Sequence, residues 1–231
     1  MNKGFTEWQQ KYLVEHTKHE NGSIDPSKLI PSRMFFVDYG PGYKSVVTGF
    51  EKLRKSACAI VLKHFDKWNL KDGFIMIGNS QGGLIARSIL TECDPKVTKV
   101  VRRLILVGVP NMGVAKFPFI PQITGLNYLA TNFLDDLVYN KFSIDNCAPS
   151  SYFKSMSRYT CVWYILICIG RMKEYKQIDS ALARLNNEFE VRDIYKNPMI
   201  ALDLLVLIKF KEDVVVQPNE SSWFGYYKDG T

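Results

Sequence analysis

Continuous apolar runs alternate along this chain with segments whose apolar residues recur at helical spacing. Amphipathic helices are predicted over residues 5–19, which Asn21-Gly22 follows, and over residues 46–65. The apolar face of the second helix consists of Val47, Phe50, Leu53, Ala57 and Val61. Because the strands between such helices read as unbroken apolar runs, they are expected to be parallel and buried on both faces, which indicates an α/β fold. The four predicted strands span residues 34–37, 74–77, 103–108 and 204–210.

The long stretch between the last two predicted strands contains no repeat or low-complexity tract. It is predicted to form a helical cap insertion over about residues 112–200. Its large apolar residues either line a cleft or pack the core of the cap itself, and the sequence does not choose between these two interpretations. These residues are Phe117, Phe119, Leu126, Tyr128, Leu129, Phe133, Leu134 and Leu137.

Composition narrows the number of domains and the classes of partner that this chain is expected to have. The chain has 231 residues, of which 46% are hydrophobic, and this favours one domain over residues 1–231 with a single sizeable core. The net charge is +7, but the basic residues are scattered and no segment interleaves aromatic residues with arginines. A solvated basic surface is therefore predicted, with no nucleic-acid groove, and the oligomeric state is left open.

The cysteines and the apolar runs exclude further classes of protein. None of the five cysteines stands in a Cys-x-x-Cys pair, so neither a metal site nor a cofactor is predicted. The most apolar run, over residues 161–169, is far shorter than the roughly twenty residues of a membrane-spanning helix, so no transmembrane segment is predicted. The first residues lack the apolar region of a secretory signal, so the protein is expected either to be cytosolic or to begin before Met1. Two glycosylation triplets, at Asn21 and Asn219, would suit a secreted protein.

Candidate chemistry begins at Ser80, in the segment Gly78-Asn79-Ser80-Gln81-Gly82 between a predicted strand and a predicted helix. Glycines on both sides let the backbone turn sharply, so that the serine hydroxyl stands clear at the strand end and the following amide can face an oxyanion. Strand, turn and helix in this order are typical of a nucleophile elbow. They favour catalysis over a chance match and predict an α/β-hydrolase-like parallel sheet with flanking helices.

On this fold the acid and the base of the triad follow the serine in that order. Asp213 follows the last predicted strand, at the carboxyl edge where Ser80 is expected, and its neighbour Glu212 is the rival candidate. An acid near this edge is needed to orient the base that takes the serine proton. Asp213 is therefore the predicted acid.

The base is harder to assign. The three histidines, His16, His19 and His64, all precede Ser80. His16 and His19 are interpreted as surface residues of the first helix, and His64 as a helix-end cation beside Asp66. No triad histidine is therefore assigned in this sequence.

Four stretches of the chain together resemble the palmitoyl-protein thioesterases, lysosomal α/β-hydrolases that remove fatty acyl groups from cysteines of S-acylated proteins. The resemblance runs from about residue 33 to the end. Its most specific part combines the last strand, the acid loop and Trp223-Phe224-Gly225-Tyr226-Tyr227. The four stretches are residues 78–82, 107–118, 148–153 with 185–188, and 205–227.

The resemblance implies a role for each matching residue. Ser80 would be the nucleophile, Asp213 the triad acid, and Gln81 the residue whose amide helps to form the oxyanion hole. Cys58 and Cys93 would form a disulfide, which suits a lysosomal or secretory compartment. The implied substrates are S-palmitoylated proteins or peptides and acyl thioesters.

Two family features have no counterpart in the sequence: an early His-Gly loop, and a late Gly-His loop that carries the catalytic histidine. The sheet is therefore expected to be incomplete at both ends, and residues 159–169 are expected to be an insertion or a mispredicted coding segment. Without the histidine, these 231 residues alone are expected to hydrolyse no more thioester than a Ser80→Ala control. The alternatives to a thioesterase are an inactive remnant and a generic lipase or carboxylesterase.

Overall fold

Three parallel strands form the sheet of this protein. The computed structural model describes residues 35–40, 42–115, 140–154 and 180–226. The strands lie in the order β1-β2-β3, and Ile105 of β2 pairs with Ile77 on one side and with Val206 on the other. The predicted α/β class with parallel strands is confirmed. The strands are β1 (Phe74–Asn79), β2 (Val101–Val107) and β3 (Leu204–Ile208).

The first predicted strand, over residues 34–37, is wrong for the residues that are described. Residues 35–38 have no regular secondary structure, and none of the three strands pairs with them. Phe35 and Val37 pack against the core, whereas Phe36 is 37% exposed. Only alternate side chains of this segment are therefore partly buried against the core.

The described residues contain six α-helices, and the first begins later than predicted. Residues 42–45 form a 3-10 helix, and Gly49 precedes α1 in an extended conformation, so the chain enters the helix only at Phe50. Val47 is 60% exposed and does not belong to the buried face, whereas Phe50, Leu53, Ala57 and Val61 are buried as predicted. The helices are α1 (Phe50–Trp68), α2 (Gln81–Glu92), α3 (Pro95–Thr98), α4 (Lys141–Asn146), α5 (Ala181–Leu185) and α6 (Asp193–Ile200).

The two faces of the sheet differ in burial. On one face, Met76 and Leu104 belong to the core that α1 and α2 complete. On the other face, Ile75, Ile77 and Leu204 are 50%, 63% and 49% exposed. The expected burial on both faces is therefore not found for these residues, because α1 and α2 lie on the same side.

A disulfide joins the two helices that cover the sheet. Cys58 of α1 is bonded to Cys93, the residue after α2, with 5.7 Å between their Cα atoms. The pairing that the resemblance implied is confirmed. Arg54 Nε, one turn before Cys58, lies 3.2 Å from Glu92 Oε2 and adds an ion pair at the same junction.

Several sequence predictions lie outside the described residues. They are the helix over residues 5–19, the cleft residues of the cap between 117 and 137, the run 159–169, and the side chains of His16, His19 and Asn21. Among the described helices, none has both the length and the apolar character to cross a bilayer. The cap boundaries stay a prediction.

Candidate active site

Ser80 links the end of β1 to the first residue of α2 in a strained turn. Its φ of 49° and ψ of −129° lie where residues with a side chain are rarely found. The turn is held by a hydrogen bond from Ser80 N to Val107 O and by another from Gly83 N to Ser80 O, both 2.9 Å long. Ser80 Oγ neither caps α2 nor forms a hydrogen bond with any described residue. At the carboxyl edge of the sheet, the turn thus presents a hydroxyl that has no hydrogen-bond partner among the described residues.

The glycines around Ser80 are not equally constrained. A Cβ atom at Gly78 would lie 2.4 Å from Gly83 Cα and 2.8 Å from Gly82 O, and one at Gly83 would lie 2.1 Å from a methyl of Val109. At Gly82 the nearest atom would be Tyr39 Oη at 3.5 Å, an ordinary contact. The close approach of β1 to α2 therefore requires Gly78 and Gly83, whereas the sequence pattern pointed to Gly78 and Gly82.

This difference predicts unequal effects of two alanine substitutions. Gly78→Ala is expected to destabilise the fold by about 1–3 kcal/mol or more, because its methyl group would meet backbone atoms that cannot move independently. Gly82→Ala is expected to stay within about 1 kcal/mol of the wild type, since it has room and alanine favours a helix. Urea denaturation followed by far-UV circular dichroism measures both. Equal losses at the two positions would contradict the assignment.

Gln81 is the first residue of α2, so its backbone N–H has no acceptor inside the helix. Its side chain is tied down: Nε2 donates to Ser45 O at 3.1 Å and to Tyr152 Oη at 3.3 Å. These bonds fix the first turn of α2, whose N-terminal amides and dipole favour a negative charge. The arrangement leaves the backbone N–H of Gln81 without an acceptor inside α2, and its role at an oxyanion stays a prediction.

Two tyrosines beside this turn were not predicted from the sequence. Burial, with a smaller effect of Asp38, raises the pKa of Tyr39 to about 12, and burial also raises the pKa of Tyr152. Both hydroxyls therefore stay protonated at neutral pH. For Tyr39 a signal was available, because it stands two residues after the apolar run 34–37 and directly before Gly40. Tyr152 comes from a distant segment, where no local pattern points to this turn.

Asp213 lies in the loop after β3, at the same edge of the parallel sheet as Ser80. It is partly buried, and its Oδ1 accepts hydrogen bonds from Val215 N at 2.8 Å and from Val216 N at 2.9 Å. Glu212 is exposed and forms no hydrogen bond with the described residues. Of the two rival carboxylates, only Asp213 is held in a fixed position.

His64 contacts the backbone of its own helix and the ring of Phe35. Its Nδ1 lies 2.9 Å from Ile60 O, and its ring stacks on Phe35 with 4.0 Å between centroids. The neighbouring Asp66 pairs instead with Lys96, 2.8 Å away. His64 is thus engaged on α1, and the described part of the chain brings no histidine to Ser80. In that same part, no three His, Cys, Asp or Glu residues are placed to hold a metal ion.

A buried arginine connects α2, the helix that begins directly after Ser80, to the rest of the site. Arg87 of α2 is 3% exposed, and its guanidinium donates to Asn111 O and Oδ1 at 3.3 Å, to Leu185 O at 3.0 Å and to Asn186 Oδ1 at 2.7 Å. Burial lowers its pKa to about 10, so it remains charged at neutral pH. Asn111 Nδ2 continues the network to Ser222 O at 3.0 Å. The network joins α2 to the segment that follows the Asp213 loop.

Comparisons with known proteins match the sequence of this chain to one family. The family model described as palmitoyl protein thioesterase matches residues 38–231. Palmitoyl-protein thioesterase 1 of Caenorhabditis elegans is 30% identical over 164 residues, which cover 70% of this chain and 49% of that protein. Palmitoyl-protein thioesterase 3 of Dictyostelium discoideum is 28% identical over 165 residues, with the same two coverages of 70% and 49%.

A third relative is the palmitoyl-protein thioesterase-dolichyl pyrophosphate phosphatase fusion 1 of Schizosaccharomyces pombe. It is 25% identical over 169 residues, which cover 71% of this chain and 24% of the fusion protein. The chain thus spans about half the length of the first two relatives and a quarter of the third.

Proposed function

This chain belongs to the palmitoyl protein thioesterase family, and we propose that it hydrolyses the thioester between a fatty acyl group and a cysteine of an S-acylated protein. The observation that carries the proposal is the strained Ser80 turn, which presents a free hydroxyl beside the N-terminal amides of α2. Asp213, held by its own loop at the same sheet edge, supports it.

In the proposed reaction, Ser80 Oγ loses its proton to a base and attacks the thioester carbonyl carbon. The carbonyl oxygen becomes an oxyanion that accepts a hydrogen bond from Gln81 N–H. The C–S bond then breaks, the cysteine thiolate takes up the proton, and an acyl ester remains on Ser80. Water, activated by the same base, hydrolyses that ester and releases the fatty acid.

Asp213 is assigned to orient the base. β2 separates the strands that precede Ser80 and Asp213, so the axes of those strands are about 10 Å apart, which leaves room for an imidazole ring between the two side chains. Among the described residues, Asp213 Oδ2 accepts no hydrogen bond and is open to an N–H of such a ring. No histidine of this sequence is assigned to that place.

Added imidazole therefore provides a direct test. The chain is assayed with a fluorogenic palmitoyl thioester, with and without imidazole, beside a Ser80→Ala variant. Without imidazole, the rate is expected to equal that of Ser80→Ala. With imidazole, the wild-type rate is expected to exceed that of Ser80→Ala under the same conditions, because a general base contributes roughly 10²–10⁴-fold when it is fixed beside the serine and less when it diffuses.

The Ser80→Ala variant also corrects for thioester cleavage by imidazole itself. If a folded, disulfide-bonded chain shows no Ser80-dependent rate with imidazole, the proposal fails and the inactive remnant is supported. A matched oxygen ester hydrolysed faster than the thioester would favour a generic lipase or carboxylesterase.

The compartment is part of the same proposal. A disulfide between Cys58 and Cys93 is stable in oxidising surroundings, which supports a secretory or lysosomal location. Mass spectrometry of the protein purified without reducing agent is expected to find both thiols bonded. A glycan on Asn21 would agree with that location.

A further inference from the structure

The loop that carries the candidate acid is closed at its base by the segment that follows it. This acid loop comprises residues 209–218. Lys209 Nζ lies 3.4 Å from Glu220 Oε1 and 4.5 Å from the centroid of the Trp223 ring. Trp223 Nε1 donates to Leu207 O at 3.2 Å. The chain therefore returns to the end of β3 directly after the acid loop.

Asn219 lies where the two ends of the acid loop meet. Its Nδ2 donates to Lys211 O at 2.9 Å and to Phe210 O at 3.4 Å. A carboxamide nitrogen carries two hydrogens, so it can donate to two neighbouring carbonyl oxygens without bringing in a charge. A leucine of similar size would leave both carbonyls without this donor.

Asp213 takes its position from the same loop. Its Oδ1 accepts from the amides of Val215 and Val216, and the described residues offer its carboxylate no other partner. The backbone of the acid loop therefore determines where the carboxylate lies. Because Asn219 bonds to Lys211, two residues before Asp213, it holds the part of the loop that leads into the acid.

Asn219 also begins the triplet Asn219-Glu220-Ser221, and the fold uses the polar groups that glycosylation would need. Ser221 is fully buried, with its Oγ donating to Gly113 O at 2.7 Å and accepting from Met112 N at 3.0 Å. A glycan on Asn219 Nδ2 would replace one of the two hydrogens that reach the carbonyls of the acid loop. The predicted glycan and the loop contact compete for one nitrogen atom.

We propose that Asn219 is a positioning residue for Asp213, and that its side-chain nitrogen closes the acid loop instead of carrying a glycan. The first part rests on the proposed function, in which Asp213 orients the base. The second part depends only on the contacts of Asn219 and Ser221.

The test compares the full chain with Asn219→Leu, and Asn197→Leu serves as the matched control. Asn197 is exposed on α6, and its side chain forms no hydrogen bond with the described residues. Hydrogen exchange of the Val215 and Val216 amides, the two donors to Asp213 Oδ1, is followed by NMR. In the wild type and the control, both amides are expected to show the same protection.

In Asn219→Leu, hydrogen exchange of these two amides is expected to speed up about tenfold or more, while the amides of α1 and α2 keep their wild-type protection. A purely structural role would lower the melting temperature and speed exchange equally in the acid loop and in the helices, and that outcome overturns the proposal. A glycan found on Asn219 by mass spectrometry, in wild-type chain secreted from eukaryotic cells, overturns it as well and needs no variant. Neither measurement requires turnover, so an inactive chain with the expected NMR result contradicts the proposed function alone.

Discussion

Replacing Arg87 with methionine is expected to lower the free energy of unfolding by about 2–5 kcal/mol, because several neutral acceptors in the interior lose a donor and an unsatisfied acceptor costs about 1–3 kcal/mol. The guanidinium supplies hydrogen bonds to acceptors on Asn111, Leu185 and Asn186. Methionine fills similar space but donates nothing, so Asn111 Oδ1, Leu185 O and Asn186 Oδ1 lose this donor, whereas Asn111 O keeps the hydrogen bond from Asn186 Nδ2 at 2.8 Å. Urea denaturation monitored by tryptophan fluorescence measures the loss.

The matched control is Arg103→Met, the same chemical change at an exposed position on β2. It is expected to alter stability by less than about 0.5 kcal/mol. Arg87→Lys is expected to recover only part of the loss, because a lysine cannot span acceptors on several segments with one planar group. If Arg87→Met and Arg103→Met were equally mild, the network would not be a stabilising element.

Removal of the disulfide is expected to cause a second large loss of stability. A Cys58→Ala and Cys93→Ala double variant is expected to lose about 3–4 kcal/mol, the chain-entropy value for cysteines 35 residues apart. The bond ties α1 to the end of α2, so its loss also loosens the helix that begins directly after Ser80. The midpoint of urea denaturation, compared under non-reducing conditions, gives the difference.

Cys147→Ala controls for the removal of a cysteine as such, since Cys147 is a free, partly buried thiol. It is expected to keep nearly the wild-type midpoint. The double variant is also expected to be insensitive to reducing agent, whereas the wild type shifts to a lower midpoint when reduced. A wild type whose midpoint did not respond to reduction would contradict the predicted contribution.

Local sequence patterns predicted the elbow well, for a physical reason. The strand before Ser80 is one apolar run, the helix after it starts at once, and glycines between a strand and a helix indicate a sharp turn. All of that information lies within about a dozen neighbouring residues. Asp213 was selected in the same way, as a carboxylate soon after an apolar strand, and its role as the acid stays a prediction.

Features made by distant segments were not predicted from local patterns. Tyr152 contacts Gln81, and Arg87 reaches the carbonyl of Leu185, across long stretches of sequence. The disulfide was predicted only from the resemblance, since five cysteines allow many pairings. The start of α1 was misplaced because Val47 continues the helical spacing although a 3-10 helix and a turn precede Phe50.

Among the described residues, the two faces of the sheet differ in burial, so a substitution is expected to have a different effect on each face. Beneath the helices, Met76 and Leu104 fill a packed space, so a change in their volume lowers stability. On the other face, folding removes only part of the surface of Ile75 and Ile77 from water. The stabilisation of about 25 cal/mol per Å² of buried apolar area therefore applies only to that part. Threonine at these two positions keeps the strand preference of a branched side chain. Solubility can therefore be improved on this side without altering the residues that hold Ser80.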